Sequence, residues 1–124
     1  MKFIGYFRQL DHGMPDGPDL VEAVAVPLPE AEREPLASYL RAGFPLVVTG
    51  SLGTDFFAPE RGEVSRINTL TDGEFLWPED LAYYVETYGA RPPAEFLEHV
   101  KAQGSPPKLD QDELATLTTQ LRGY

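Results

Sequence analysis

The stretch TDGEFLWPEDLAYY, residues 71–84, holds the carboxylates of Asp72, Glu74, Glu79 and Asp80 beside one tryptophan and two tyrosines. Carboxylates converging on one point could hold a hard cation or divide acid and base roles. Their spacing argues for local work instead. Asp72 precedes Gly73 and suits a tight turn, and Glu74 opens the strand that returns from it. Glu79 and Asp80 follow Pro78, where the dipole of a starting helix favours negative charge. No calcium-loop spacing is present, so no metal ligand and no catalytic residue is assigned.

The remaining nucleophiles and bases are as unpromising. His12 and His99 are the two histidines, and neither stands in an HxH, HxxxH or HExxH pattern. Structural roles are expected for both. Ser51 lies in TGSLG, which lacks the Gly-x-Ser-x-Gly elbow, and TGSLGT lacks the Gly-Lys-Ser/Thr ending of a phosphate loop. With no cysteine in the chain, thiolate chemistry, disulfides and Cys-ligated zinc are excluded. No cofactor is implied.

The aromatics invite a different reading. Tyr84 and Tyr88 fall on an apolar helical stripe with Leu81 and Val85, and Trp77 is expected to anchor the strand–helix junction. Tyr83 falls off that stripe. An aromatic body ringed by carboxylates would suit an Arg/Lys-rich protein surface, through cation–π contacts and charge pairing. The expected partner-contact set is Glu74, Trp77, Glu79, Asp80, Tyr83 and Glu86. Nucleobase stacking would need basic residues nearby to hold the phosphates, and this segment has almost none.

These residues must be positioned by elements that the sequence marks clearly in places. KFIGYFR reads as a strand, and LDHGMPDGPD as a loop. Asp19 can cap a short helix through Leu20, Val21 and Val24. Glu30 to Ala42 reads as a helix with Leu36, Tyr39 and Leu40 on one face and Gly43 as its stop, although Pro35 could mark its true start. PLVVTG and TDFFAP read as two strands joined through SLG. VSRINTL leads as one strand into the Asp72–Gly73 turn, and Glu74 to Trp77 returns. Pro78 then starts a helix ended by Gly89. A second helix from about Pro93 to Gln103 turns Phe96, Leu97 and Val100 inward. Asp110 with Glu113 resembles a capping box for a third, with Leu114, Leu117 and Leu121 inward. The sum is a single α+β domain over residues 1–124: an antiparallel meander with helices before it and a run of three helices after it.

At 124 residues, 42% hydrophobic and 24% charged, the chain can build a core without staples. No apolar run reaches the length of a signal sequence or a bilayer span, so a cytoplasmic protein is expected. Ten basic and twenty acidic residues give a net charge of −10. Five basic and nine acidic residues precede Glu63, and five basic and eleven acidic follow, so the excess is spread along the chain. That field opposes nucleic acid and anionic membrane and speeds encounter with a basic protein.

The segment from Thr71 onward resembles a family of small, mostly uncharacterised bacterial proteins with the recurring core Thr-Asp-Gly-Glu-Trp-x-Trp-Pro-x-x-Leu-x-Tyr-Tyr-Val-x-x-Tyr, followed by Pro-x-x-Phe. The matching residues are Thr71, Asp72, Gly73, Glu74, Trp77, Pro78, Leu81, Tyr83, Tyr84, Val85 and Tyr88, then Pro93 and Phe96. Phe75 stands where the pattern has its first tryptophan. Relatives of this kind resemble immunity proteins encoded beside bacterial polymorphic toxins. The resemblance implies a non-enzymatic inhibitor that neutralises a cognate toxin domain by binding its basic surface. Two alternatives stay open: a small ligand-binding or enzymatic domain with a pocket lined by Tyr6, Arg8, Trp77 and Tyr83, and a self-associating module whose aromatic surface is a homo-oligomer interface.

Overall fold

A computed structural model describes residues 2–105 and 111–122, without the side chains of 117, 118 and 120–122. The expected capping residue Asp110 and the inward placing of Leu117 and Leu121 lie outside what is described.

The organising unit is the hairpin of β5 (Thr69–Thr71) and β6 (Phe75–Pro78). Its turn is built by side chains that satisfy backbone groups. Asp72 Oδ1 accepts from the amides of Glu74 and Phe75 at 3.0 and 2.9 Å, and the Thr71 hydroxyl donates to the Phe75 carbonyl at 2.7 Å. β2 (Phe44–Val47) pairs antiparallel with β5, and β1 (Lys2–Phe3) pairs parallel with β6, giving the order β1-β6-β5-β2. A separate ribbon joins β3 (Leu52–Thr54) to β4 (Glu63–Arg66).

Around these strands lie α1 (Leu20–Ala25), α2 (Glu30–Arg41), α3 (Leu81–Tyr88), α4 (Ala94–Gln103) and α5 (Gln111–Arg122). The α+β class is as expected, with a mostly antiparallel sheet and three C-terminal helices. Asp19 caps α1 by accepting from the amides of Val21 and Glu22. α2 begins at Glu30 and carries Pro35 inside it, so Pro35 does not mark its start. Leu36, Tyr39 and Leu40 face the core, as do Leu81, Tyr84 and Val85 of α3. Gly89 closes α3 at φ 70°, a left-handed conformation that glycine adopts without a Cβ penalty. Trp77 is fully buried, and its indole N–H donates to the Leu40 carbonyl at 3.1 Å, tying the sheet to the end of α2.

Four expectations about element boundaries are corrected. KFIGYFR is a strand only at Lys2–Phe3; Gly5, at φ 78°, turns the chain away. TDFFAP is a turn, because buried Asp55 accepts from the amides of Phe57 and Ala58 at 2.7 and 3.0 Å, while the strand lies one step earlier in LGT. VSRINTL is two strands of different sheets. Asn68 divides them: it accepts from the Thr49 amide, donates to Glu79 and receives the Glu79 amide on its own carbonyl. Pro78 ends β6, opposite Thr69, and the helix starts three residues later at Leu81. Without an N–H, proline suits a ladder's last position as well as a helix's first.

Candidate functional site

The six expected contact residues do not form one exposed face. Trp77 and Asp80 are buried and contribute nothing to an exposed contact face. Glu74 is exposed, with Oε2 2.8 Å from His99 Nδ1, and Glu86 is exposed and bridged to the Arg41 guanidinium at 2.9 and 3.3 Å. Glu79 and Tyr83 are half-buried, Glu79 accepting from Asn68 and Tyr83 donating to Asp55. The carboxylates of the motif are spent mostly on internal contacts. Nor do Tyr6, Arg8, Trp77 and Tyr83 converge: Tyr6 reaches Thr69, Arg8 pairs with Asp19, and none of the four lines either of the two cavities described below.

Three groups of titratable side chains take shape instead. In the first, the hydroxyls of Tyr83 and Tyr88 both donate to Asp55 Oδ2 at 2.6 Å, and Arg61 donates to the Tyr83 oxygen at 3.1 Å. Burial pulls the Asp55 carboxyl upward, but the two hydroxyls and the two turn amides outweigh it and hold it below its ordinary value. Tyr88 is pushed up to about 12, first by its hydrogen bond to Asp55 and then by burial.

The second group joins α2, the hairpin turn and α4. Tyr39 donates to Asp72 Oδ2 at 2.5 Å, and His99 Nε2 lies 2.8 Å from the same oxygen. Burial, and then the bond to Asp72, raises the Tyr39 hydroxyl. His99 packs on Phe75 at 4.8 Å between ring centroids. Both carboxylate oxygens of Asp72 are engaged.

The third group differs. His12 Nε2 lies 2.9 Å from Asp80 Oδ2, yet the two are not aligned as a hydrogen bond, and neither Asp80 oxygen accepts from any group of the described residues. Asp80 stands at the N-cap position of α3 without capping it. His12 belongs to the wall of a cleft of about 700 Å³ that is also lined by Gln9, Asp11, Gly53, Asp55 and Phe56. A second, apolar groove of about 360 Å³ lies between α2 and α4, among Leu28, Pro35, Leu36, Leu97 and Val100. Among the described residues, no group of three or more His, Asp or Glu side chains could hold a metal ion, and no helix is long and apolar enough to cross a membrane.

Leu52 and Phe56 of the cleft wall belong to a run of exposed apolar residues that sequence reasoning passed over. Phe44, Val47, Val48, Leu52, Phe56 and Phe57 are exposed, from 37% at Val47 to 70% at Val48. Among the described residues, only Val21 and Val26 are exposed large apolar residues elsewhere, so the exposure is concentrated. β2 is one edge of its sheet, and three of its four residues are exposed. The sequence did carry a signal: FPLVVTGSLG, residues 44–53, has no charged residue in a chain that is otherwise 24% charged. An edge strand without a charge, blunted only by Pro45, is a template for another chain. No family model, no curated protein and no solved structure matches this chain.

Proposed function

We propose that this protein works by binding another protein, and that its surface from Phe44 to Phe57 is the contact region. The observation that carries the reading is the run of exposed apolar side chains between Phe44 and Phe57, with Phe44 and Val47 on the uncharged edge strand β2. Such patches on an otherwise polar surface mark interaction sites. A partner segment would add to β2 as a further strand, with main-chain bonds giving affinity and the flanking apolar side chains giving register. The net charge of −10 selects a basic partner and speeds its approach.

This reading accommodates the immunity-type role that the family resemblance implies. An acidic molecule that covers the cationic face of a toxin domain would block it by occlusion, with no chemical step. Apolar contact would then supply most of the affinity, and charge the rate and selectivity. The six motif residues would act mainly by holding β5, β6 and α3 in place.

The test is co-expression with the product of the adjacent reading frame, followed by capture and washing at rising salt. Val48→Lys and Leu52→Glu should abolish capture, whereas Glu74→Gln should leave it nearly intact. Capture that survives both apolar substitutions would sink the contact assignment. A doubled solution mass that reverts with Val48→Lys would instead assign the edge to a second copy of this chain.

A further inference from the structure

We infer that the cleft beside His12 is a socket for the cationic side chain, arginine or lysine, of a protein partner, with Asp80 as its counter-ion. The inference rests on the protein-binding reading above and adds the chemistry of the anchor residue. The Asp80 side chain is 2% exposed, and both of its oxygens are without a hydrogen bond from the described residues. A buried carboxylate in that condition is costly, and proteins retain such groups chiefly where another group is meant to meet them. The amides at the start of α3 do not compensate it, although Asp80 occupies the position from which aspartate ordinarily caps a helix.

The path from the cleft to this carboxylate is short. Gly53 lines the cleft, and a Cβ placed on it would lie 3.0 Å from Ile67 Cγ2, 3.4 Å from Asp80 Oδ2 and 3.9 Å from His12 Cε1, so the carboxylate lies just behind the cleft wall, covered in this conformation. His12 is part of that cover, and it too lines the cleft. Its imidazole stands where a ligand cation would stand and gives way when one arrives. Among the described residues, neither lysine nor arginine lines the cleft, whereas Asp11 and Asp55 do. Leu52, Phe56 and Ile67 offer apolar wall for a methylene stem. Two unbonded oxygens on one carboxylate match the paired N–H groups of a guanidinium, so arginine is the better fit. Leu52 and Phe56 belong both to the cleft wall and to the exposed apolar run. A partner seated on that run would have the socket beneath it.

The whole chain, labelled with ¹⁵N, would be titrated with capped arginine, capped citrulline, spermidine and a capped Leu-Arg-Leu peptide, following amide shifts. Arginine should move the amides of His12, Gly53 and Asp80, and citrulline, its neutral isostere, should not. The peptide should bind at least about ten-fold more tightly than capped arginine, because its leucines reach the apolar run. His12→Ala should tighten arginine binding severalfold by removing the cover, and Asp80→Asn should remove the response. If Asp80→Asn does not fold, the arginine–citrulline contrast on the unaltered protein still decides. An equal response to both, or none, overturns the socket. Spermidine binding as tightly as the peptide would assign the cleft to a free small cation and overturn the protein source. Loss of partner capture in Val48→Lys without any arginine response sinks the socket and leaves the binding reading. An arginine response with capture indifferent to Val48→Lys does the reverse.

Discussion

The molecule contains two histidine–aspartate contacts of almost equal length, 2.8 Å between His99 and Asp72 and 2.9 Å between His12 and Asp80, and their surroundings differ in kind. Asp72 accepts two amides on one oxygen and meets Tyr39 and His99 on the other. His99 in turn has Glu74 on its second nitrogen. The Asp80 carboxylate accepts no hydrogen bond from the described residues, and its histidine comes from a loop rather than a helix. The contrast teaches that proximity of the same two residue types carries no role by itself. A completed network is a clamp, here holding α2, α4 and the hairpin together, while an incomplete one stores a cost that a ligand can relieve.

The comparison can be broken by substitution, and the largest effect expected is at Asp72. Asp72→Asn puts an amide where Tyr39 and His99 converge and should destabilise the fold by about 3 kcal/mol, whereas Asp80→Asn removes an uncompensated charge and should leave stability unchanged or raise it. Urea unfolding of the two variants decides the matter; equal losses would erase the distinction between clamp and socket. Next in size are the histidines. His99→Ala should cost about 2 kcal/mol through lost hydrogen bonds and lost packing on Phe75 and Phe96, and His12→Ala less than about 1 kcal/mol.

The third cluster sharpens the picture through pH. Asp55 is held below its ordinary value, so its contribution is complete above about pH 4, the usual unfolded value for aspartate, and is lost as pH falls through the lower folded value. Unfolding free energies measured from pH 6 to pH 3 should therefore decline less steeply in Asp55→Asn than in the unaltered chain. Tyr83→Phe and Tyr88→Phe should each cost about 1.5 kcal/mol at neutral pH, since each removes a hydrogen bond to a charged acceptor. The smallest effect belongs to Glu86→Gln. Its bridge to Arg41 is exposed, and melting in moderate salt should not distinguish the variant from the parent.

Where local chemistry decides, the chain could be read. The Asp72–Gly73 turn, the Asp19 cap, the buried face of α2 and the stripe on α3 all follow from neighbours within a few residues. Where a side chain travels to a distant partner, reading failed. Asn68 cuts VSRINTL in two because of Thr49 and Glu79, and Asp55 turns TDFFAP because Tyr83 and Tyr88 await it. Of the candidate site, Asp80 was noticed for its charge and given a surface role. His12 looked inert because no metal or catalytic spacing contains it.

Most element types, the strong hairpin, the acidic field and an uncharged apolar run follow from residue identity and short-range periodicity alone. Only the tertiary structure decided which carboxylates are satisfied, which strand became an edge, and which histidine stands before an unpaired aspartate. Those outcomes depend on burial, and burial is set by segments far apart in the chain, whose meeting no local pattern records.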